Sequence, residues 1–430
     1  MGMRWRRLGI WMLVGLVASW VVSCSTGPST PTNNSTAGEV REVEFWTMQL
    51  QPEFTDYFEA LITDFEAAHP DTTIRWVDVP WSDMQSKILT AVSAGTAPDV
   101  VNLNPDFASQ LASRNAWMIL DDRIPDEVKQ TYLPKVWQAS TLEGKSFGIP
   151  WYLTTNVTIY NESLLNEAGV SAPPATYAEL ADVAKAVKDQ TGAYAFFTTF
   201  VPEDSAEVLQ SLIQMGVALV DEQGQAAFNT PAGRRAFQYW VDLYQQELLP
   251  REVLTQGHRR GIELYQAGET AMVATGPHFL DAIAKNAPSI AAVSQTAPQI
   301  TGDTGAKNVA AMNLVIPQAT DQPDAALDFA LFVTNPDNQL AFAKAANVLP
   351  STQQSLTDSH FTTLPDGAAP RDQARLVSAG QLQDAEVLVP AMTDVKLLQK
   401  IIYENLQAAM LGQKTVDEAI ATAEQQWNQR

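Results

Sequence analysis

The chain contains a single cysteine in 430 residues, which excludes a disulfide framework and any site built from several thiolates. Histidine is also scarce, and the four histidines have no spacing typical of metal ligands: His69, His258, His278 and His360. HExxH, CxxC and EF-hand sequences are absent as well. The sequence therefore predicts neither a metal site nor a cofactor.

Positive charge is in short supply. The chain has 27 Lys and Arg against 49 Asp and Glu, a formal net charge of −22, and removal of Arg4, Arg6 and Arg7 would make it −25 (−22 − 3). Such a body repels phosphate backbones and anionic lipid head groups, which disfavours nucleic-acid binding. Walker, GxGxxG and GxSxG motifs are missing too, so the common nucleotide-binding and hydrolase signatures do not occur.

Long apolar runs are absent except at the N-terminus, where residues 8–22 follow three arginines and precede Ser23 and Cys24. A basic start, an apolar run of roughly 15 residues and a small residue before the cut are typical of a secretory signal, since a membrane span needs about 20. The segment Val21-Val22-Ser23-Cys24 resembles a lipobox, in which the cysteine is acylated and becomes the mature N-terminus. An uncleaved anchor helix is the alternative.

These patterns predict a signal peptide at residues 1–23, lipidation at Cys24 and a flexible linker at residues 24–39, which is rich in Ser, Thr, Pro and Gly. We expect the globular part outside the cytoplasm, lipid-anchored to the cell membrane and on the periplasmic face in a Gram-negative cell. Roughly 400 residues remain, which is more than one hydrophobic core usually organises, so two lobes are expected.

After the linker, short β-type runs at 43–46, 73–79 and 99–103 alternate with helical patterns at 54–68 and 83–94. This alternation predicts an α/β architecture. Ligands in open sheets gather beyond the carboxyl ends of the strands. The candidate residues at those ends are Trp46, Gln49, Trp81, Asp83, Asn104 and Asp106. Burial of Trp46 and Trp81 in the core, with Asp83 as a helix cap, is an equally weighted alternative.

Flat aromatic rings beside amide and carboxylate groups suit carbohydrates, whose hydroxyls must exchange water hydrogen bonds for protein ones. Carboxylate pairs such as Glu203 with Asp204, or Asp83 with Asp106, leave open an exported glycoside hydrolase. A structural or adhesion lipoprotein is a third hypothesis. With so many acidic residues, chance pairs are expected, so the sequence favours a protein that is not an enzyme.

Several segments together resemble the family 1 extracellular solute-binding proteins, the maltodextrin-type receptors of ABC importers. Besides the lipobox, these segments occur in the family's order: 94–100, 144–150, 159–161, 173–180, 266–272, 275–277, 325–333, 348–350 and 412–419. The resemblance implies a two-lobed periplasmic-binding-protein fold of type II, with mixed sheets covered by helices and hinge strands between the lobes. It also implies a monomer whose partners are permease subunits in the membrane.

By the same resemblance the chain crosses between lobes near Thr154 to Thr158, near Val293 to Ala297 and near Thr334 to Asn338. The expected first lobe is 40–153 plus 296–333, and the expected second lobe is 154–295 plus 334–430. The resemblance places Trp151 and Thr154 beside the hinge. It assigns four ligand-binding residues to the second lobe: Glu203, Asp204, His278 and Phe279.

The sequence departs from the family at two places. The frequent Gly-Pro-Trp reads Gly276-Pro277-His278, and a Gly-Gly before a late strand is replaced within residues 308–313. The loss of a stacking ring favours a small ligand: a disaccharide, a short oligosaccharide or a glycosylated polyol. A glycerol phosphodiester is the alternative within the family, but it would require fixed arginines, and the candidate loops contain none apart from Arg114, which is expected on a helix.

Overall fold

The computed structural model describes residues 40–389, 392 and 394–430, apart from the side chain of Asp106. Cys24, the predicted signal peptide and the predicted linker therefore lie outside the described residues. Within the described part, no helix combines the length and the apolar character needed to cross a membrane.

The described strands are short, and most are separated by helices. The strands are β1 (Arg41–Met48), β2 (Thr72–Val79), β3 (Val100–Leu103), β4 (Thr141–Leu142), β5 (Lys145–Ser146), β6 (Ile149–Thr155), β7 (Val157–Asn161), β8 (Met272–Thr275), β9 (Ser294–Ala297), β10 (Lys307–Val315), β11 (Leu349–Pro350) and β12 (Ala385–Glu386).

The helices are α1 (Thr55–Ala68), α2 (Trp81–Ala94), α3 (Pro105–Ala112), α4 (Asp126–Lys129), α5 (Pro134–Ala139), α6 (Glu162–Glu167), α7 (Tyr177–Thr191), α8 (Glu207–Gln214), α9 (Pro231–Gln245), α10 (His258–Gln266), α11 (Phe279–Asn286), α12 (Pro288–Ala291), α13 (Pro323–Val333), α14 (Pro336–Ala346), α15 (Ser359–Thr362), α16 (Pro370–Gln381), α17 (Val395–Met410) and α18 (Val416–Asn428). Two 3₁₀ turns lie at Arg251–Leu254 and Ser355–Thr357.

The larger sheet has the strand order β11-β6-β10-β3-β1-β2, with β12 paired to β10. Strand β1 runs parallel to β2 and β3, whereas β10 runs antiparallel to β3 and β6. Along β1, Val43 and Phe45 enter one core cluster while Trp46 and Met48 enter another, because successive side chains point to opposite faces and helices cover both. We call this sheet with its helices the first lobe.

The smaller sheet has the order β8-β7-β9, and both of its pairs are antiparallel. Tyr160 and Met272 pack into the core that α7, α9, α17 and α18 share. Val157 and Ile159 face the opposite way, toward residues of α10, α11 and α16. We call this sheet with its helices the second lobe. The two sheets confirm the predicted α/β fold class.

The chain crosses between the sheets after Thr155, where β6 ends, and again between β9 and β10. The expected third crossing, residues 334–338, instead joins α13 and α14, and both helices pack on the larger sheet. Phe342 explains the difference, because it is buried against Trp151 with ring centroids 4.8 Å apart. The chain first returns to the smaller sheet through α16, which contacts β7 and β9.

Helix starts were the most readable local signals. Thr415 caps α18 in a complete capping box, in which its hydroxyl accepts from the backbone N–H of Glu418 and the Glu418 carboxylate accepts from the N–H of Thr415. The predicted box at Thr176 is only half formed. Thr176 accepts from the N–H of Glu179, but the Glu179 carboxylate accepts from Ala175 instead.

Candidate ligand-binding site

The carboxyl ends of β1, β2 and β3 lie at one edge of the larger sheet, because the three strands are parallel. Asp78 organises this edge: its carboxylate accepts from the Thr47 hydroxyl at 2.6 Å and from the backbone N–H groups of Leu50 and Gln51 at 2.9 and 3.1 Å. These three bonds fix the turn after β1. Gln49 lies in that turn with a left-handed φ of 53°, and its side chain is exposed.

Trp81 begins α2 at the same edge and is 45% exposed, a high value for so large an apolar ring. The Gln49 Oε1 atom lies 3.4 Å from the backbone N–H of Trp81, so the two loops adjoin. Asp83 is exposed one turn into α2, and Asn104 caps α3 by accepting from the N–H of Phe107 at 2.9 Å. The side chain of Asp106 lies outside the described part. The first lobe thus offers an aromatic face beside an amide and a carboxylate.

Trp46 does not offer such a face and is removed from the candidate site. It is 6% exposed, its Nε1 donates to Glu44 at 2.7 Å, and the Lys87 ammonium lies 4.2 Å from its ring centroid. Trp151 is removed as well, because its exposed fraction is 0% and its ring is enclosed by Phe45, Phe58 and Phe342. A ring without exposed surface cannot stack on a ligand, so both residues are core residues.

The second lobe presents a polar cluster where α8 and α10 begin. His258 Nδ1 pairs with the Glu207 carboxylate at 2.8 Å, and its Nε2 lies 3.3 Å from the Thr275 hydroxyl at the end of β8. Asp204 accepts from the backbone N–H of His258 at 2.8 Å. Burial would lower the pKa of His258, but the hydrogen bond and charge of Glu207, helped by the charge of Asp204, raise it above its ordinary value.

Of the residues expected in this lobe, Asp204 is therefore brought into the cluster while Glu203 is exposed beside it. Gly257 allows the approach of Asp204, since a Cβ there would overlap the carboxylate. The cluster also contains residues that the sequence analysis missed, namely Glu207, His258 and Thr275. They come from three separate elements, so no local motif could have revealed them.

His278 and Phe279 lie together at the end of the loop after β8, with ring centroids 4.3 Å apart and planes tilted by 40°. Burial lowers the pKa of His278, and the nearby His258 adds to that effect against the charge of Asp281. A Cβ on Gly276 would lie 2.6 Å from the His278 ring, so the ring requires glycine there. At neutral pH the imidazole is therefore neutral, with one donor and one acceptor nitrogen.

A small cavity of about 80 Å³ lies between the smaller sheet and helices α7 and α8. Its lining combines aromatic rings with amides and a carboxylate: Tyr177, Phe196, Phe197, Trp240, Glu207, Gln210, Gln214 and Gln299. Several of these polar groups already have partners, for example Gln214, which accepts from the Tyr177 hydroxyl at 2.8 Å. The sequence signal that was missed is the pair of glutamines one turn apart on α8.

A second cavity of about 130 Å³ lies where the lobes meet, and it is lined by Thr154 and His278 among other residues. We call it the hinge pocket. Two expected site residues are thus brought together, one from each lobe. Beside it, Gln381 joins both crossing segments, because its Nε2 donates to the carbonyl of Asn156 at 3.2 Å and its Oε1 accepts from the N–H of Gln299 at 2.8 Å.

Metal binding has no support in the described residues, which contain no group of three His, Cys, Asp or Glu side chains that could hold an ion. The glycosidase pair Asp83 and Asp106 cannot be assessed, since the second side chain lies outside the described part. What the two lobes do offer is an exposed aromatic ring, amides, carboxylates and neutral imidazole, which is the chemistry of a site for a neutral polar solute.

This fold and these two polar surfaces define a two-lobed solute-binding protein. The family described as "Bacterial extracellular solute-binding protein" matches residues 51–340, so the chain belongs to that family. A solved periplasmic-binding protein from Synechococcus sp. MITs9220 is 47% identical, with a TM-score of 0.82 over 90% of this chain and 98% of that chain.

Two relatives have named ligands. The cyclic alpha-maltosyl-1,6-maltose binding protein from Arthrobacter globiformis is 25% identical, with a TM-score of 0.77 over 90% of this chain and 98% of that chain. The arabinooligosaccharide-binding protein from Halalkalibacterium halodurans is 25% identical over 68% of this chain and 66% of its own length. Both are binding proteins rather than enzymes.

Proposed function

We propose that the chain is the solute-binding lipoprotein of an ABC importer and that its solute is a small carbohydrate. The carrying observation is Trp81, whose exposed ring lies beside the Gln49 amide where three parallel strands end. A pyranose needs an apolar face to stack on and polar edges for its hydroxyls, and this edge supplies both. The named ligands of two relatives, an arabinooligosaccharide and a cyclic maltose derivative, point to the same class.

The solute is captured between the lobes, and it closes them only if it interacts better with the closed state. Trp81, Gln49, Asp83, Asn104 and Asp106 would contact it from the first lobe. Thr154, Glu203, Asp204, His278 and Phe279 would contact it at the hinge and from the second lobe. Within the carbohydrates, we propose a disaccharide, a short oligosaccharide or a glycosylated polyol.

The cellular arrangement follows from the N-terminal sequence. Cleavage after residue 23 would leave Cys24 as the acylated N-terminus, and the linker 24–39 would tether the two lobes to the outer face of the cell membrane. There the closed form would deliver its solute to permease subunits. From the packing of the helices we propose a first lobe of 40–155 plus 307–362, and a second lobe of 157–297 plus 370–381 and 395–430.

The direct test is calorimetric titration of the protein without residues 1–24, using maltose, maltotriose, glucosylglycerol and mannitol as probes. A ligand at 100 times its dissociation constant should raise the free energy of unfolding by about 2.7 kcal/mol, which is visible as a higher melting temperature. Chromatography of the same samples checks for turnover. Saturable binding of a probe without product supports the proposal, whereas release of a product would establish a hydrolase instead.

A further inference from the structure

The hinge pocket is built by both lobes. Thr155 contributes from the end of β6 and Asn347 from the loop after α14, both in the first lobe. Gly276 and His278 contribute from the second lobe, and Ser378 contributes from α16. Since α16 also holds Gln381, which bonds both crossing segments, the pocket lies directly against the hinge.

Two hydroxyls in this pocket have no hydrogen-bond partner among the described residues. The Thr155 Oγ1 and Ser378 Oγ atoms are inaccessible, and their residues are only 4% and 3% exposed. Buried polar groups in native proteins are nearly always paired, either with protein or with a bound molecule. The two orphan hydroxyls therefore indicate that the pocket is built to receive a polar group.

The charges around the pocket decide which polar group it receives. Arg375 is the one lining residue with a permanent charge, and Asp372 already neutralises it at 2.6 Å while the carbonyl of His360 accepts from its Nε at 2.8 Å. His278 is neutral at neutral pH. The available groups are thus two hydroxyls, a neutral imidazole and the Asn347 amide, which can each donate and accept. This set matches the hydroxyls of a neutral polyol better than an anion.

We propose that the hinge pocket binds the terminal, hydroxyl-bearing end of the transported solute, with Thr155 and Ser378 as specificity-determining residues. This inference rests on the proposed function. The volume of about 130 Å³ is that of about four water molecules, so it admits a glycerol-sized end and excludes a second ring. Thr154 and His278 line the pocket and are also exposed, which connects it with the surface where the rest of the solute would lie.

The test compares Thr155→Val and Ser378→Ala with the matched control Thr270→Val. Thr270 also carries a buried hydroxyl without a described partner, but it lies next to Tyr194, away from the hinge pocket. Each hinge-pocket variant should raise the dissociation constant of the best-binding probe about three- to tenfold, and the control should leave it unchanged. All three ligand-free variants should melt at or slightly above the wild-type temperature, because an orphan hydroxyl is replaced by an apolar group.

Deoxy analogues of the same probe separate direct contact from an indirect effect. An analogue that lacks the bound hydroxyl should be held equally well by the wild type and by Ser378→Ala. If Thr155→Val and Ser378→Ala bind every probe as tightly as the control does, the pocket holds only water and the inference is overturned while the proposed function stands. If the wild type binds no carbohydrate at all, the proposed function is lost and the inference with it.

Discussion

Trp46 and Trp81 provide a paired test of what lies in the core and what lies in the site. Both tryptophans belong to the same edge of the first lobe, but their exposed fractions are 6% and 45%. Replacement of Trp46 by Ala removes a buried ring, its hydrogen bond to Glu44 and its contact with Lys87. The cavity and the lost packing should lower the free energy of unfolding by about 3–5 kcal/mol.

Trp81→Ala should have the opposite profile. The ring is half exposed and no side-chain hydrogen bond of Trp81 supports the fold, so the free energy of unfolding should change by less than about 1 kcal/mol. If the ring stacks on the solute, the dissociation constant should rise about tenfold or more, as for truncation of an aromatic anchor in other binding sites.

Urea unfolding monitored by circular dichroism measures the first quantity, and calorimetric titration at saturating probe measures the second. Trp46→Phe is the control, since it keeps most of the buried ring and should recover most of the lost stability. The reasoning is refuted if Trp81→Ala binds the solute as tightly as the wild type, or if it unfolds as readily as Trp46→Ala does.

Three further perturbations follow from the same geometry. The raised pKa of His258 means that its pair with Glu207 stabilises the fold fully below the ordinary pKa of 6.5 and that this contribution is lost as pH rises through the raised value, so the melting-temperature difference between wild type and Glu207→Gln should shrink from pH 5.5 to pH 8.5. Gln381→Leu leaves the Asn156 carbonyl and the Gln299 N–H unpaired and should cost about 1–3 kcal/mol in urea unfolding, whereas the exposed Gln373→Leu on the same helix should cost almost nothing. Asp78→Ala releases the turn that carries Gln49 and should raise the dissociation constant in calorimetric titration with only a modest loss of stability; unchanged binding would show that the turn does not contribute to the site.

The alternation of strands and helices in the first lobe was readable from the sequence because it repeats a simple unit, and the carboxyl ends of β1 to β3 followed from it. The choice between a buried and an exposed tryptophan was not readable. In a sheet covered on both faces, successive residues of a strand are all buried, so Trp46 within β1 carries no sign of its environment, whereas Trp81 lies beyond the strand.

The second lobe was less predictable for a different reason. Glu207, His258 and Thr275 meet only because α8, α10 and β8 end at the same place, and each is unremarkable within its own segment. The position of α14 was missed for a related reason. An amphipathic pattern shows that a helix buries one face but not which sheet it packs on, and here Phe342 joins the aromatic core around Trp151.

Contacts on different parts of the molecule should contribute differently to capture and closure. A group that touches the solute from one lobe only, as Trp81 would, adds equally to the open and closed states and therefore raises affinity without favouring closure. Groups of the second lobe, such as Asp204, meet the solute only once the lobes approach, so their binding energy favours the closed state. The hinge pocket differs from both. Residues of both lobes line it beside the crossing segments, where rotation displaces atoms least, so it should select the solute by its end group in either state.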